Sequence, residues 1–133
     1  NSATGFGTLG YAVPASIGAQ LARLDKTVIC IIGDGGLQFT LAELGTAIDE
    51  STPVLFLVWN NSEYKEIRTF MESQSITPIG ISPKPPKLKL IAKSFGLEYK
   101  NPKSAFKLSK ILLDFCKNRR PLIIEVTEKK FEE

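Results

Sequence analysis

Asp34 stands between glycines in "GDGG", and Asn61 closes the pair "NN" 27 residues later. A carboxylate, an amide oxygen and a nearby backbone carbonyl are all hard oxygen ligands. Mg2+ takes such ligands in near-octahedral geometry, commonly completed by phosphate oxygens. The backbone N–H groups of Gly35 and Gly36, just ahead of a predicted helix, complement phosphate charge. Glycine also lets backbone come close to a ligand. The set describes a metal-bridged diphosphate site. From the residues alone a second reading is equally open, in which Asp34 caps one turn and Asn60-Asn61 make another.

The elements around these residues set their positions. "LGYAVPASIGAQLARL" (9–24) is predicted helical, with Val13, Ile17, Leu21 and Leu24 as its apolar stripe and Pro14 in its first turn. "TVICII" (27–32) and "VLFLVW" (54–59) read as strands buried on both faces, which puts Trp59 in the core. Between them "FTLAELGTAIDE" (39–50) reads as one helix with Thr40 as its N-cap. A helix over "KEIRTFM", a proline-rich loop at 75–86, a helix over 87–96 ending at Gly96, a short "LEY", a helix over 104–118 and a last strand "PLIIEV" (121–126) follow. Alternating helices and apolar strands predict an α/β sandwich of three layers, a mostly parallel sheet flanked by helices. Ligands of such sheets collect beyond the carboxyl ends of the strands, where "GDGG" and "NNSE" both fall.

A competing motif opens the chain. Gly5, Gly7 and Gly10 in "GFGTLG" fit G-x-G-x-x-G, and Asp34 follows Gly10 by 24 residues. A dinucleotide fingerprint needs a strand immediately before its glycines, and only "NSAT" precedes these. The glycines flanking Asp34 are also unnecessary for a ribose contact. The dinucleotide reading is set aside.

Composition narrows the chemistry further. A chain of 133 residues, 43% of them hydrophobic, is expected to form one globular domain. It contains no histidine, which excludes a Ser-His-Asp triad, a Cys-His pair and a His-ligated metal within it. Cys30 and Cys116 form no C-x-x-C pair, and Cys30 is expected to be a small buried hydrophobe. With no disulfide framework, membrane span or signal peptide, the default expectation is cytoplasmic. Between Lys84 and Arg120 eleven basic residues face two acids. No aromatic residues alternate with them for base stacking, so a solvated helical face is expected ahead of a nucleic-acid patch.

"GDGGLQFTLAELGTAIDESTPVLFLVWNN" resembles the motif of thiamine diphosphate-dependent enzymes: GDG, a spacer in the high twenties, then NN. "GFGTLGYAVPASIGAQLA" is similar to the segment before GDG in acetolactate synthase and 2-oxo acid decarboxylase relatives, and the likeness runs from about Gly5 to Gly80. The resemblance implies the thiamine diphosphate-binding fold over 1–133. It also implies thiamine diphosphate and Mg2+ as cofactors, with Asp34, the side chain of Asn61 and the backbone oxygen of Glu63 as metal ligands. Gly33, Gly35 and Gly36 would contact cofactor; many relatives have Ser where Gly36 stands. Leu9 matches the bulky residue that props the cofactor in its bent shape. The carbonyl of Gly7 would accept from its aminopyrimidine.

The same resemblance implies a larger enzyme, either a lyase or a transferase, that decarboxylates or ligates a 2-oxo acid. No catalytic residue is identified within this chain. The acid that activates the cofactor belongs to a pyrimidine-binding domain or subunit, and FAD would enter only through an upstream domain. The chain is thus expected to be a C-terminal fragment or a subunit, inert alone, in an intact homodimer or higher oligomer. Acetolactate synthases carry Met and Trp where Glu66 and Phe70 stand, which argues against that activity and makes Glu66 a substrate contact to test. The alternative is a non-catalytic or nucleic-acid-binding α/β module using the Lys-rich C-terminal half.

Overall fold

A computed structural model describes residues 7–131, so Gly5 of the opening motif lies outside the described residues. Four strands form one wholly parallel sheet: β1 (Ile29–Gly33), β2 (Leu55–Asn60), β3 (Glu98–Lys100) and β4 (Leu122–Thr127), in the order β1-β2-β4-β3. The helices between them are α1 (Ala12–Ala22), α2 (Asp34–Phe39), α3 (Glu43–Asp49), α4 (Lys65–Ser73), α5 (Leu88–Phe95) and α6 (Ala105–Lys117). A 3-10 turn over Glu128–Lys130 follows β4.

Parity along the strands divides the core in two. Val13 and Ile17 of α1, Leu44 and Ala47 of α3, and Leu88 and Ala92 of α5 pack with Cys30, Ile32, Phe56 and Ile123 on one face. Phe115, Leu108, Ile111 and Leu112 of α6 pack with Leu55, Leu122, Ile124 and Val126 on the other. The expected three-layer α/β sandwich is therefore the observed architecture. Gly96 stops α5 with a left-handed φ of 74°, as the glycine predicts. Ser104 caps α6 by accepting from the Lys107 N–H.

Three local expectations are corrected. β1 is an edge strand buried on one face only: Cys30 and Ile32 are covered while Ile31 is 71% exposed. Five apolar residues in a row, Val28 to Ile32, looked the same in sequence as a doubly covered strand. The helix expected over 39–50 is two helices, and Thr40 ends α2 instead of capping α3. Its hydroxyl donates to the Gly10 carbonyl at 3.0 Å. Finally, the buried stripe of α1 is Val13, Ser16, Ile17 and Gln20, leaving Leu21 and Leu24 exposed. The Gln20 amide donates to the carbonyls of Arg23 (2.9 Å) and Lys26 (3.1 Å). That satisfies acceptors at the helix end and keeps this polar residue inside.

Candidate functional site

The register brings three carboxyl ends level. Gly33 of β1 pairs with Trp59 of β2, which pairs with Val126 of β4. Asp34 continues β1 directly into α2, while Asn60 is the last residue of β2 and Asn61 follows it. A cavity of about 380 Å3 opens there, lined by Leu9, Gly33, Asp34, Gly35, Gly36, Asn61, Glu63 and Glu66 among others. Eight residues singled out from the sequence thus share one cavity. Gly7 does not line it; this residue is exposed, with a φ of 65°.

Asp34 is only 4% exposed, and burial pushes its carboxyl above the ordinary aspartate range. The N–H groups of Gly35, Asp34 and Ser62 act against that shift, while the charge of Glu125 adds to it. Among the described residues no Lys or Arg pairs with Asp34. A buried carboxylate without a cationic partner is costly, and a cation in the adjoining cavity would relieve that cost.

The turn after β2 is built from side-chain-to-backbone bonds. Asn60 Oδ1 accepts from the Ser62 N–H and from Ser62 Oγ, both at 3.1 Å. Asn61 Oδ1 accepts from the Glu63 N–H, also at 3.1 Å. These overlapping Asx turns hold Ser62 at a φ of 60°, a region that non-glycine residues seldom occupy. The amide oxygen of Asn61 keeps a second lone pair for another partner. The Glu63 side chain is engaged by Arg68 of α4 at 2.9 Å. The asparagines therefore make the turn that one of the two readings expects, while Asp34 makes no side-chain cap bond at the start of α2. Asn61 also lines the cavity that holds the buried acid.

The glycines serve packing. A Cβ on Gly36 would meet Ile32 Cγ1 at 3.1 Å, and one on Gly35 would run into the ring of Tyr64. Gly10 has a φ of 90°, and a Cβ there would lie 2.9 Å from Thr40 Cγ2. The spacing that mimicked a dinucleotide turn includes a glycine fitted tightly against the end of α2.

Several cavity residues escaped the sequence reading. Tyr64, Lys65, Ile67 and Glu128 line it too, and Lys65 pairs with Glu128 at 3.6 Å. Trp59 is 40% exposed at the cavity and meets Phe131 edge-on, so its expected core position is corrected. β2 presents it on the face that α6 covers only in part. The alternation of the strand contained the signal, but a run of six apolar residues hid it.

The basic segment is partly self-neutralised. Arg120 bonds to Glu98 and Asp114, and Lys100 to Glu98. Lys110 lies over the ring of exposed Phe106 at 4.3 Å. The remaining lysines of α5 and α6 are exposed, as expected for a solvated face. No helix among the described residues is long and apolar enough to cross a membrane.

Known proteins match this chain throughout. The family described as "Thiamine pyrophosphate enzyme, C-terminal TPP binding domain" matches residues 1–126. A probable 2-ketoarginine decarboxylase of Pseudomonas aeruginosa is 37% identical over 110 residues, covering 82% of this chain and 20% of that protein. The mitochondrial acetolactate synthase catalytic subunit of Saccharomyces cerevisiae is 35% identical over 126 residues, covering 92% and 18%. Among solved structures, the thiamine diphosphate-dependent 4-hydroxybenzoylformate decarboxylase of Rhodococcus jostii superposes with a TM-score of 0.85 at 28% identity, over 96% of this chain and 24% of that one. The chain spans about a fifth of the length of the curated relatives. With a parallel sheet whose aligned strand ends carry the GDG and NN motifs into one cavity, the chain belongs to the thiamine pyrophosphate enzymes as a C-terminal TPP-binding domain of the acetolactate synthase and decarboxylase type.

Proposed function

We propose that this chain holds the diphosphate of thiamine diphosphate through Mg2+ as the C-terminal part of a larger enzyme acting on a 2-oxo acid. The observation that carries the metal reading is Asp34: a buried carboxylate on a cavity, raised in pKa by its burial and unpaired with any described Lys or Arg. Asn61 would add its amide oxygen and Glu63 its carbonyl, since the Glu63 side chain is occupied by Arg68. Gly33, Gly35 and Gly36 would line the diphosphate, Leu9 would support the bent cofactor, and the Gly7 carbonyl would face its aminopyrimidine. When bound, thiamine diphosphate supplies the carbon nucleophile and the electron sink for decarboxylation or carboligation. This chain's residues bind it, orient it and exclude water.

The acid that activates the cofactor would come from a pyrimidine-binding domain or subunit, within a homodimer or larger assembly. The isolated 133-residue chain would then turn over no 2-oxo acid. Calorimetric titration of thiamine diphosphate into the full protein, with and without Mg2+, tests the reading. Binding should require the metal and disappear in Asp34→Ala. Metal-independent binding that survives the substitution would overturn it.

A finer reading concerns the substrate. Glu66 lines the cavity, and no Lys or Arg among the described residues pairs with it. A guanidino- or amino-bearing 2-oxo acid suits such a carboxylate, and the similar Pseudomonas protein is described as a 2-ketoarginine decarboxylase. Glu66→Gln should lower kcat/KM for a guanidino-bearing 2-oxo acid about 10- to 100-fold relative to an uncharged one. An unchanged ratio removes Glu66 from recognition.

A further inference from the structure

Glu125 is the one charged residue of β4, "LIIEVT". Its register partner on β2 is Val58, one step of the same sheet face from Asn60. Both of its carboxylate oxygens are occupied. Oε1 accepts from Asn60 Nδ2 at 2.6 Å, and Oε2 accepts from the Tyr99 hydroxyl of β3. Its carbonyl accepts from Asn101 Nδ2 at 2.6 Å. Three strands of the sheet are thus tied together at one side chain.

The bond to Asn60 reaches further than the sheet. With its amide N–H donating to Glu125, Asn60 has its oxygen turned to Ser62, where it accepts from both the backbone N–H and the hydroxyl. Those bonds hold Ser62 in its left-handed conformation. The same turn carries Asn61 and Glu63. An asparagine amide can rotate by a half-turn and exchange its donor and acceptor ends. A carboxylate accepts only, so Glu125 admits one orientation of Asn60, the one whose oxygen receives Ser62.

We propose that Glu125 is a positioning residue for the metal-binding turn, fixing the orientation of Asn60 and through it the placement of Asn61 and Glu63. This rests on the reading that Asp34, Asn61 and Glu63 hold Mg2+. Removing a direct hydrogen-bond partner of a metal ligand alters metal affinity by about 10- to 100-fold. Glu125 stands a step further back, acting through Asn60 and the Ser62 turn, so its effect is expected to be smaller. Tyr99 serves Glu125 in turn. Its hydroxyl titrates well above the ordinary tyrosine range, because of its burial and then its bond to Glu125, so it stays a donor across the neutral range.

The test is the apparent Mg2+ dissociation constant of the full protein in a fixed excess of thiamine diphosphate, measured calorimetrically with the protein-free cofactor titration subtracted, for wild type, Asp34→Ala, Glu125→Ala, Glu125→Gln and Tyr99→Phe. Glu125→Ala should weaken Mg2+ about 3- to 10-fold, less than loss of a ligand's direct partner. Glu125→Gln should recover most of that loss, because the Gln oxygen can accept from Asn60 while its amide donates to the Tyr99 oxygen. Tyr99→Phe should fall between wild type and Glu125→Ala. Melting temperatures without metal identify any variant that fails to fold. Should Glu125→Ala be unfolded, a Tyr99→Phe protein that melts normally and binds Mg2+ as wild type does overturns the proposal. A folded Glu125→Ala with wild-type Mg2+ affinity overturns it as well, reducing Glu125 to a sheet tie. If wild type and Asp34→Ala bind Mg2+ alike, the underlying metal reading has failed instead, a result distinct from either of these.

Discussion

Gly35 and Tyr64 are fitted to each other: a methyl group at Gly35 would stand 2.6 Å from Tyr64 Cε1. The ring belongs to the residue just before α4, whose N–H donates to the Ile81 carbonyl at 2.8 Å. That bond ties the loop after α4 to the residue that carries the ring. A side chain at the third position of "GDGG" would thus press on a neighbour 29 residues along the chain, from Gly35 to Tyr64.

Gly35→Ala should therefore destabilise the fold by about 1–3 kcal/mol, the range of an overpacked site. In Tyr64→Ala the same methyl meets no ring, so the cost of Gly35→Ala should largely vanish there. A denaturant double-mutant cycle should return a coupling of about 0.5–3 kcal/mol. Additive effects would show that the ring moves aside freely.

Glu98 gives the fold a measurable pH dependence. The Arg120 guanidinium foremost, then the Lys100 ammonium, hold its carboxyl below the ordinary glutamate value. A carboxyl lowered on folding contributes stability above its unfolded pKa of about 4.5, and loses it as pH falls through the folded value. Since the groups are about one-third exposed, solvent screening limits the pair to a few tenths to about 1 kcal/mol. Glu98→Gln should melt lower than wild type at pH 7, with the gap closing below the ordinary glutamate range. A gap that persists in acid would point to lost packing instead of charge.

The sequence disclosed the architecture more completely than the site's supports. Apolar strands alternating with helices were enough to predict the parallel sandwich, because those patterns follow from what a buried strand must be. GDG and the second Asn of NN marked the cavity, because both stand where a parallel strand ends and ligands of such sheets collect. Tyr64, Glu125 and Lys65 were not legible. Each acts through a neighbour on another element, and pairings such as Asn60 with Glu125 join residues 65 positions apart. The split between α2 and α3 was hidden because Thr40, which bonds to Gly10, is equally at home as an N-cap.

The exposed edge of β1 makes adjacent isoleucines unequal. Ile32 is buried against the helices and touches the space behind Gly36, while Ile31 projects from the opposite face. In this chain Ile32→Ala should cost about 2–5 kcal/mol, as for a core truncation. Ile31→Ala should stay within about 0.5 kcal/mol, as for a surface change. Chemical denaturation of the two variants checks the pair. Equal losses would mean that both faces of β1 are covered.

Asp34 should trade stability for binding. Its carboxylate is buried beside a second acid and has no cationic partner among the described residues, so the ionised form is disfavoured without metal. Asn is close in shape and carries no charge to desolvate, so Asp34→Asn should melt higher than wild type in metal-free buffer. Adding Mg2+ and thiamine diphosphate should reverse the order if Asp34 holds the metal as proposed. A ligand at a hundred times its dissociation constant stabilises the native state by about 2.7 kcal/mol, a gain that the Asn variant should largely forgo. Thermal melts of both proteins in the two buffers should therefore cross. If the Asn variant melts lower in both, Asp34 supports the fold through its charge, and the cavity's demand for a cation loses its main physical ground. If it melts higher in both, the carboxylate is costly but binds nothing.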